Sequence, residues 1–280
     1  MQNIETEISE FDKHLRQKKV VADNTRIEYS RRARKFLSHI NGQDICEPVI
    51  LDYLEGLKKE GRCDKTINCY RDAISAYIDF RHLKIEHPPT RKLIRKIPDI
   101  IEGNDDEFFE NEILPIAETI FDTSTCKVVA LLYFVKDTIL RPSSIEVLHR
   151  HNFDFPNKRG LYINVKGKKQ KYFLLTNKAI KAIQIYFDSE EEDKNAFNLS
   201  RSGITRIFAK IRDALHKKSP HLRFRPYLFR HTLISRLLNA GMNESKVQEI
   251  AGHESVLSLA PYKNMNIDKI QIEYFNIMGN

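Results

Sequence analysis

Apolar residues in this chain recur at helical spacing along almost its whole length, and one short stretch breaks the rule. Phe36, Leu37 and Ile40, then Ile67, Tyr70, Ile74, Tyr77 and Ile78, fall three or four positions apart. That interval lines one face of an α-helix. The break is a pair of aromatic and β-branched runs, Leu161-Tyr162-Ile163-Asn164-Val165 and Tyr172-Phe173-Leu174-Leu175, around a Gly-Lys turn. Those runs read as a β-hairpin. The expected fold is therefore mainly α with a small antiparallel β-sheet. Hydrophobic residues make up 41% of the chain, enough for a real core and too many for a disordered segment.

With 280 residues the chain has the length of one large domain or two ordinary ones. A first helix is expected around Phe11 and Leu15. A second follows the capping segment Asp23-Asn24-Thr25 and runs to Ile40. A third covers 48–57, and a fourth starts near Asp64-Lys65-Thr66. His87-Pro88-Pro89, Ile97-Pro98 and Gly103-Asn104-Asp105-Asp106 then interrupt the pattern. The reading is a helical domain over 1–90, a linker over 91–107 and a second domain over 108–280. In the second part helices are expected over 110–120 and 125–138, then from Pro142, a residue suited to a first helical turn. After the hairpin they are expected over 177–187, 201–216, 227–240, 243–251 and 264–277.

The formal net charge of +8 and a pI of about 9.2 favour a polyanionic partner, nucleic acid above all. Arg31, Arg32, Arg34 and Lys35 on the second helix, with Lys65 and Arg71 on the fourth, form basic faces. Each face is either a phosphate-tracking surface or a solvated one. No apolar run has membrane-spanning length and no signal-peptide pattern opens the chain, so a cytoplasmic protein without membrane contact is expected. Cys46, Cys63, Cys69 and Cys126 lack CxxC spacing. They read as reduced cysteines, mostly in helix cores, rather than zinc ligands or disulfides.

In order along the second part stand Arg141, Lys166, Arg230, His253 and Tyr262. Phosphoryl transfer asks mainly for positioning and for cations around phosphorus, and the planar arginine fork grips two phosphate oxygens at once. Singly, each residue has a plainer reading. Arg141 could pair with Glu146 or another carboxylate. Lys166 could be a general acid or a surface lysine. His253 could be structural, and Tyr262 could be packing.

Together these residues resemble the tyrosine recombinase, or phage integrase, family, and the resemblance covers both halves. The family's Thr-Gly-Leu-Arg corresponds to Thr138-Ile139-Leu140-Arg141. Its hairpin Gly-Lys-Gly-x-Lys corresponds to Val165-Lys166-Gly167-Lys168-Lys169. Its His-x-x-Arg-His corresponds to Tyr227-Leu228-Phe229-Arg230-His231, and its Leu-Gly-His to Ala251-Gly252-His253. Tyr262 follows nine residues later, at the place of the family's nucleophile. Thr25-x-x-x-Tyr29 and Thr66-Ile67-x-x-Tyr70 resemble the family's helical core-binding domain. Two departures stand out. Tyr227 replaces the first His, as in divergent members, notably of archaeal mobile elements. A phenol there can donate a hydrogen bond but is a poor base near neutral pH, so Tyr227 is expected to orient the phosphate. His231 is read as packing within its helix, with compensation for that lost His as the other reading. The family's acidic residue three after the first Arg is Ser144, and Glu146 could take its supporting role.

The resemblance implies a two-domain site-specific DNA recombinase or integrase with Arg141, Lys166, Tyr227, Arg230, His253 and Tyr262 as its catalytic set. Tyr262 would attack a scissile phosphate, form a 3′-phosphotyrosyl link and release a 5′-hydroxyl that Lys166 protonates. A second strand's 5′-hydroxyl would reverse the step, with no metal, ATP or other cofactor. Arg31, Arg32, Arg34, Lys35, Lys65, Arg71, Lys168 and Lys169 would contact double-stranded DNA carrying specific recombination sites. Four protomers would assemble on DNA, with 264–278 docking on a neighbour, while the free chain would be a monomer or weak oligomer. A type IB topoisomerase or hairpin telomere resolvase uses the same catalytic set and is the first alternative. A DNA-binding relative with a degenerate site is the second.

Overall fold

The helical spacing of the first third becomes four amphipathic helices: α1 (Gln2–Gln17), α2 (Asp23–Ile40), α3 (Glu47–Lys59) and α4 (Asp64–Phe80). The structure, a computed structural model, describes residues 2–17, 22–93, 98–101, 103–163, 170–217, 224–252 and 255–263. The chain divides into two compact units, Met1–Arg95 and Lys96–Asn280.

In the first unit each helix turns its apolar stripe inward. Phe11 of α1, Phe36 of α2, Ile50 of α3 and Ile74 of α4 are among the buried residues of one shared core. Burying side chains of this size stabilises by about 1.5–3 kcal/mol each, which is what holds four short helices together. The chain after α4 stays on this unit. The Arg71 Nε–H donates to the Pro88 carbonyl at 2.7 Å, and Asn68 exchanges two 2.9 Å hydrogen bonds with the Arg91 backbone.

The second unit opens with α5 (Asp105–Phe108), which passes through a π turn (Phe109–Ile113) into α6 (Leu114–Ile120). Asn104 caps it by accepting from the Asp106 and Glu107 N–H groups. The helix thus starts earlier than the expected 110, because the acidic run supplies a cap and a favourable first turn. Before it, the Ile101 N–H donates to Thr232 at 2.9 Å, so this stretch packs on the second unit.

Next come α7 (Thr125–Asp137) and the one-turn α8 (Pro142–Ile145). A three-stranded antiparallel sheet follows: β1 (Phe153–Asp154), β2 (Arg159–Ile163) and β3 (Gln170–Leu174), in the order β1-β2-β3. Helices α9 (Asn177–Ser189), α10 (Arg201–Leu215), α11 (Pro226–Asn239), α12 (Glu244–Ala251) and α13 (Ala260–Lys263) complete the described chain. The expected hairpin is present, and β1 is an addition that two residues cannot announce by alternation. At Gly160 of β2 a Cβ would overlap the Phe173 ring and lie 2.5 Å from the Asn152 carbonyl oxygen, so only glycine fits. Helix α7 is buried on most sides and packs against α6, α9 and α11.

Among the described residues no helix is long and apolar enough to cross a membrane. The cysteines are free, but Cys46, Cys63 and Cys126 are exposed and Cys69 is half-buried. The expectation of core cysteines is therefore corrected. Cys46 and Cys63 sit at the caps of α3 and α4, outside the buried stripes.

Candidate active site

Helix α11 is the frame of the site. Arg225 enters it in an extended conformation, Pro226 fixes the first turn, and Leu228 and Phe229 anchor it in the main core. Arg230 follows on the inner side and is 4% exposed. Its guanidinium donates to the Ile139 carbonyl, between α7 and α8, and at 2.8 Å to the Ala251 carbonyl at the end of α12. One side chain thus ties three elements together. The chain leaves α12 through Gly252, whose φ of 61° is the left-handed conformation that glycine adopts freely.

Arg141 reaches the same place from the cap of α8. It is half-buried, and among the described residues its side chain has no hydrogen-bond or ion-pair partner. Pairing with Glu146 or another carboxylate, open from the sequence, is not found there. Two like charges are instead held close. Burial first, and Arg141 second, pull the Arg230 pKa down to about 10. A second cation held this close to a buried one favours an anion between them.

Tyr262, on α13, is 5% exposed and packs with Ile139, Ile234, Val247, Ala251 and Leu259. Burial raises its pKa, while Arg230 and Arg141 pull it the other way. The phenol therefore lies in the field of both arginines. Tyr162 of β2 is in the same position: it is buried, raised by burial and opposed by Arg230 and Arg141. Sequence reasoning missed Tyr162, since alternation marks it only as an inward strand residue.

His231 departs from the reading as helix packing. Its Nδ1 stands 2.5 Å from the Tyr262 hydroxyl, with ring centroids 5.7 Å apart. Burial, then Arg225 and Arg230, hold the imidazole down to about 4, against a smaller opposing pull from Asp99. It is neutral at pH 7. Tyr227, one turn earlier, is 38% exposed and its ring centroid lies 6.2 Å from that of His231.

The structure thus brings together Arg141, Arg230 and Tyr262, with Tyr227 at the edge. Lys166, Lys168, Lys169 and His253, and the helix expected over 264–277, lie outside the described residues. Among the described residues no cluster of three or more His, Cys, Asp or Glu could hold a metal ion. In the first unit the basic face of α2 is largely paired. Arg31 and Arg32 each reach Glu28 at 2.8 Å, and Arg34 reaches Glu5 at 3.0 Å. Arg71 pairs with Asp72 at 2.8 Å, while Lys35 and Lys65 are exposed.

Comparison with known proteins decides the family. The phage integrase family profile matches residues 107–268. The chain belongs to the phage integrase family. These tyrosine recombinases are site-specific DNA recombinases, enzymes that break and rejoin DNA. The chain is 22% identical over 277 residues to a tyrosine recombinase of Thermosipho africanus, covering 91% of this chain and 93% of that one. It is 23% identical over 302 residues to tyrosine recombinase XerC of Bacillus licheniformis, covering 99% and 97%. The integrase of transposon Tn1549, solved with transposon right end DNA, shares the fold at a TM-score of 0.72 and 16% identity, over 97% of this chain and 99% of that one. As an integrase-family member, the present chain has its mainly helical architecture and small sheet in common with that structure.

Proposed function

We propose that this recombinase cleaves double-stranded DNA with Tyr262 as nucleophile, forming a 3′-phosphotyrosyl link. One observation carries the reading. Arg141 and Arg230, from separate elements, converge beside a buried phenol, and Arg141 lacks a counter-ion among the described residues. A phosphodiester supplies the missing charge. As the phenol attacks, negative charge grows on the phosphate oxygens, and the two guanidinium groups stabilise it. Tyr227, exposed at the mouth, orients an oxygen. Lys166 protonates the leaving 5′-oxygen, and His253 joins the phosphate contacts; both roles rest on the motif alone.

The first domain (1–90) grips the duplex backbone through Arg31, Arg32, Arg34, Lys35, Lys65 and Arg71, assisted by Lys168 and Lys169 of the hairpin turn. The chain acts in the cytoplasm on specific recombination sites. There it assembles as a homotetramer from free monomers or weak oligomers. Apolar residues of 264–278, among them Ile267, Ile270 and Phe275, fit an acceptor groove on a neighbour. A cavity of about 450 Å³, lined by Ile139, Leu174, Leu237, Met242 and Ile250, supports that role.

The test is covalent trapping. A pool of nicked suicide duplexes with a randomised centre is incubated with the full chain, and denaturant-stable adducts are recovered and sequenced. The expected result is an adduct with a common site, lost in Tyr262→Phe while that variant still binds DNA. An adduct that survives in Tyr262→Phe assigns the chemistry elsewhere and overturns the reading.

A further inference from the structure

The family motif places an imidazole at the position held here by Tyr227, and a phenol cannot accept the nucleophile's proton near neutral pH. Positions 227 and 231 are one helical turn apart, so they share a face of α11. The structure puts an imidazole at 231, with Nδ1 2.5 Å from the Tyr262 hydroxyl. A protonated phenol has one hydrogen to give, and Nδ1 of the neutral ring can accept it. Hydrogen-bond reach between a nucleophile and a base is the geometric mark of an activated nucleophile.

We infer that His231 is the catalytic base that takes the proton of Tyr262 as its oxygen attacks the scissile phosphorus. This rests on Tyr262 being the nucleophile. In cleavage the Oη–P bond forms, the P–O5′ bond breaks, and the Oη proton passes to Nδ1. The 5′-oxygen leaves with a proton from a separate acid, Lys166 in the present reading. In rejoining, a 5′-hydroxyl attacks phosphorus, its proton returning to that acid, while the phenol departs with the proton from Nδ1. Atoms and charges balance over the cycle, and His231 ends neutral.

The surroundings make this base dependent on substrate. Among the described residues the groups facing the imidazole are Arg225 at the N-cap of α11, Arg230 within it, Asp99 from the segment before α5, Tyr262 of α13 and Tyr227 one turn back. In the free chain the two arginines oppose a third cation. A bound phosphodiester offsets their charge and so eases formation of the imidazolium, although burial, the larger cause, still opposes it.

The experiment measures single-turnover cleavage of the suicide duplex recovered by trapping, with the full chain and its His231→Asn and His231→Phe variants. A second duplex carries sulfur at the 5′-bridging position, a leaving group that needs no proton. The expected outcome is a loss of about 100-fold in both variants, at the low end for a general base. DNA affinity should be unchanged and the defect should persist on the sulfur duplex. Placing 3,5-difluorotyrosine at 262, a more acidic phenol, should narrow the gap between His231→Asn and the parent. Parent-like rates in both variants overturn the inference, as does a defect that disappears on the sulfur duplex, which would mark an acid. A loss of rate matched by loss of DNA affinity also overturns it, since that is a structural role. Should both variants fail to fold, the pH–rate profile of the unsubstituted chain decides: an acid limb between about pH 4 and 6.5 supports the base, and a flat profile refutes it. A dead Tyr262→Phe beside a parent-like His231→Phe sinks the base alone, whereas an active Tyr262→Phe sinks the nucleophile reading too.

Discussion

If the paired arginines are an empty anion site, they cost the free protein stability, and removing one should strengthen the fold while ending catalysis. The perturbation is Arg141→Gln. Arg230 is 4% exposed, and its pKa falls from 12.5 to about 10. At about 1.4 kcal/mol per pH unit, that gap penalises the charged, folded form by about 3 kcal/mol. Both the folded and unfolded chains are charged at pH 7, so the whole penalty is present there. Burial is the larger cause and the Arg141 charge the second. Removing that charge should therefore return less than half, about 1 kcal/mol, or roughly 2–4 °C in the melting temperature of a unit this size.

The assay is thermal unfolding in sulfate and in chloride at matched ionic strength, alongside suicide-duplex cleavage. The parent should gain stability in sulfate, because a ligand that binds only the folded state raises it. Arg141→Gln should melt higher in chloride, gain little from sulfate, and lose roughly 100-fold or more in cleavage. A lower melting temperature in chloride would refute the argument, since it would make Arg141 a structural residue. Equal sulfate gains in parent and variant would refute it as well, because the anion would then be bound elsewhere.

Other outcomes follow from the same structure. Tyr227→Phe should slow cleavage only by the loss of one hydrogen bond, about 1 kcal/mol or roughly fivefold, whereas Arg230→Ala should be far worse; equal severity would make Tyr227 a proton carrier. Glu28→Gln releases Arg31 and Arg32, so DNA binding should tighten and its log–log salt slope should steepen by about 1 to 2; an unchanged slope would leave that face of α2 off the DNA. Gly160→Ala should destabilise by about 1–3 kcal/mol, measured by denaturant unfolding, since its Cβ would meet Phe173 and the Asn152 carbonyl. His231 titrates near 6.5 when unfolded and near 4 when folded. Below pH 6.5 the unfolded chain takes up a proton that the folded chain refuses, so stability should fall from there toward pH 4, and His231→Asn should flatten that fall.

Most helices were legible because each buries one stripe: Ile67, Tyr70, Ile74 and Tyr77 give α4 away by spacing alone. The hairpin was legible for the same reason at period two. What escaped is set by contacts between distant segments. Phe153 belongs to a strand because its ring meets Phe134, Phe173 and Phe187 at 5.2–5.6 Å, and two residues carry no period. Arg141, Arg230 and Tyr262 could be named from motif and spacing. Tyr162 could not, because nothing local separates a core tyrosine from one facing two arginines. For His231 the sequence left packing and compensation for the lost His both open. Successive residues on a helix point about 100° apart, so a motif that fixes Arg230 says nothing about what lies beside 231. Tyr262 of α13, 31 positions on, lies on that side and gives His231 its partner.

That arrangement bears on when the enzyme reacts. In the free chain Tyr262, the proposed nucleophile, is buried and hydrogen-bonded to an imidazole that burial, Arg225 and Arg230 keep hard to protonate. The phenol, also raised by burial, keeps its proton. Burial is the main cause of both obstacles, and the arginines act on the two groups in opposite senses: Arg225 and Arg230 disfavour the imidazolium, whereas Arg230 and Arg141 favour the phenolate. A phosphodiester would offset part of the arginines' charge as it arrives and so ease protonation of His231. Under the roles proposed for Tyr262 and His231, proton transfer to the imidazole is thereby favoured when DNA occupies the site. On the same proposal, Arg141, which has no hydrogen-bond or ion-pair partner among the described residues, takes the substrate phosphate as its counter-ion.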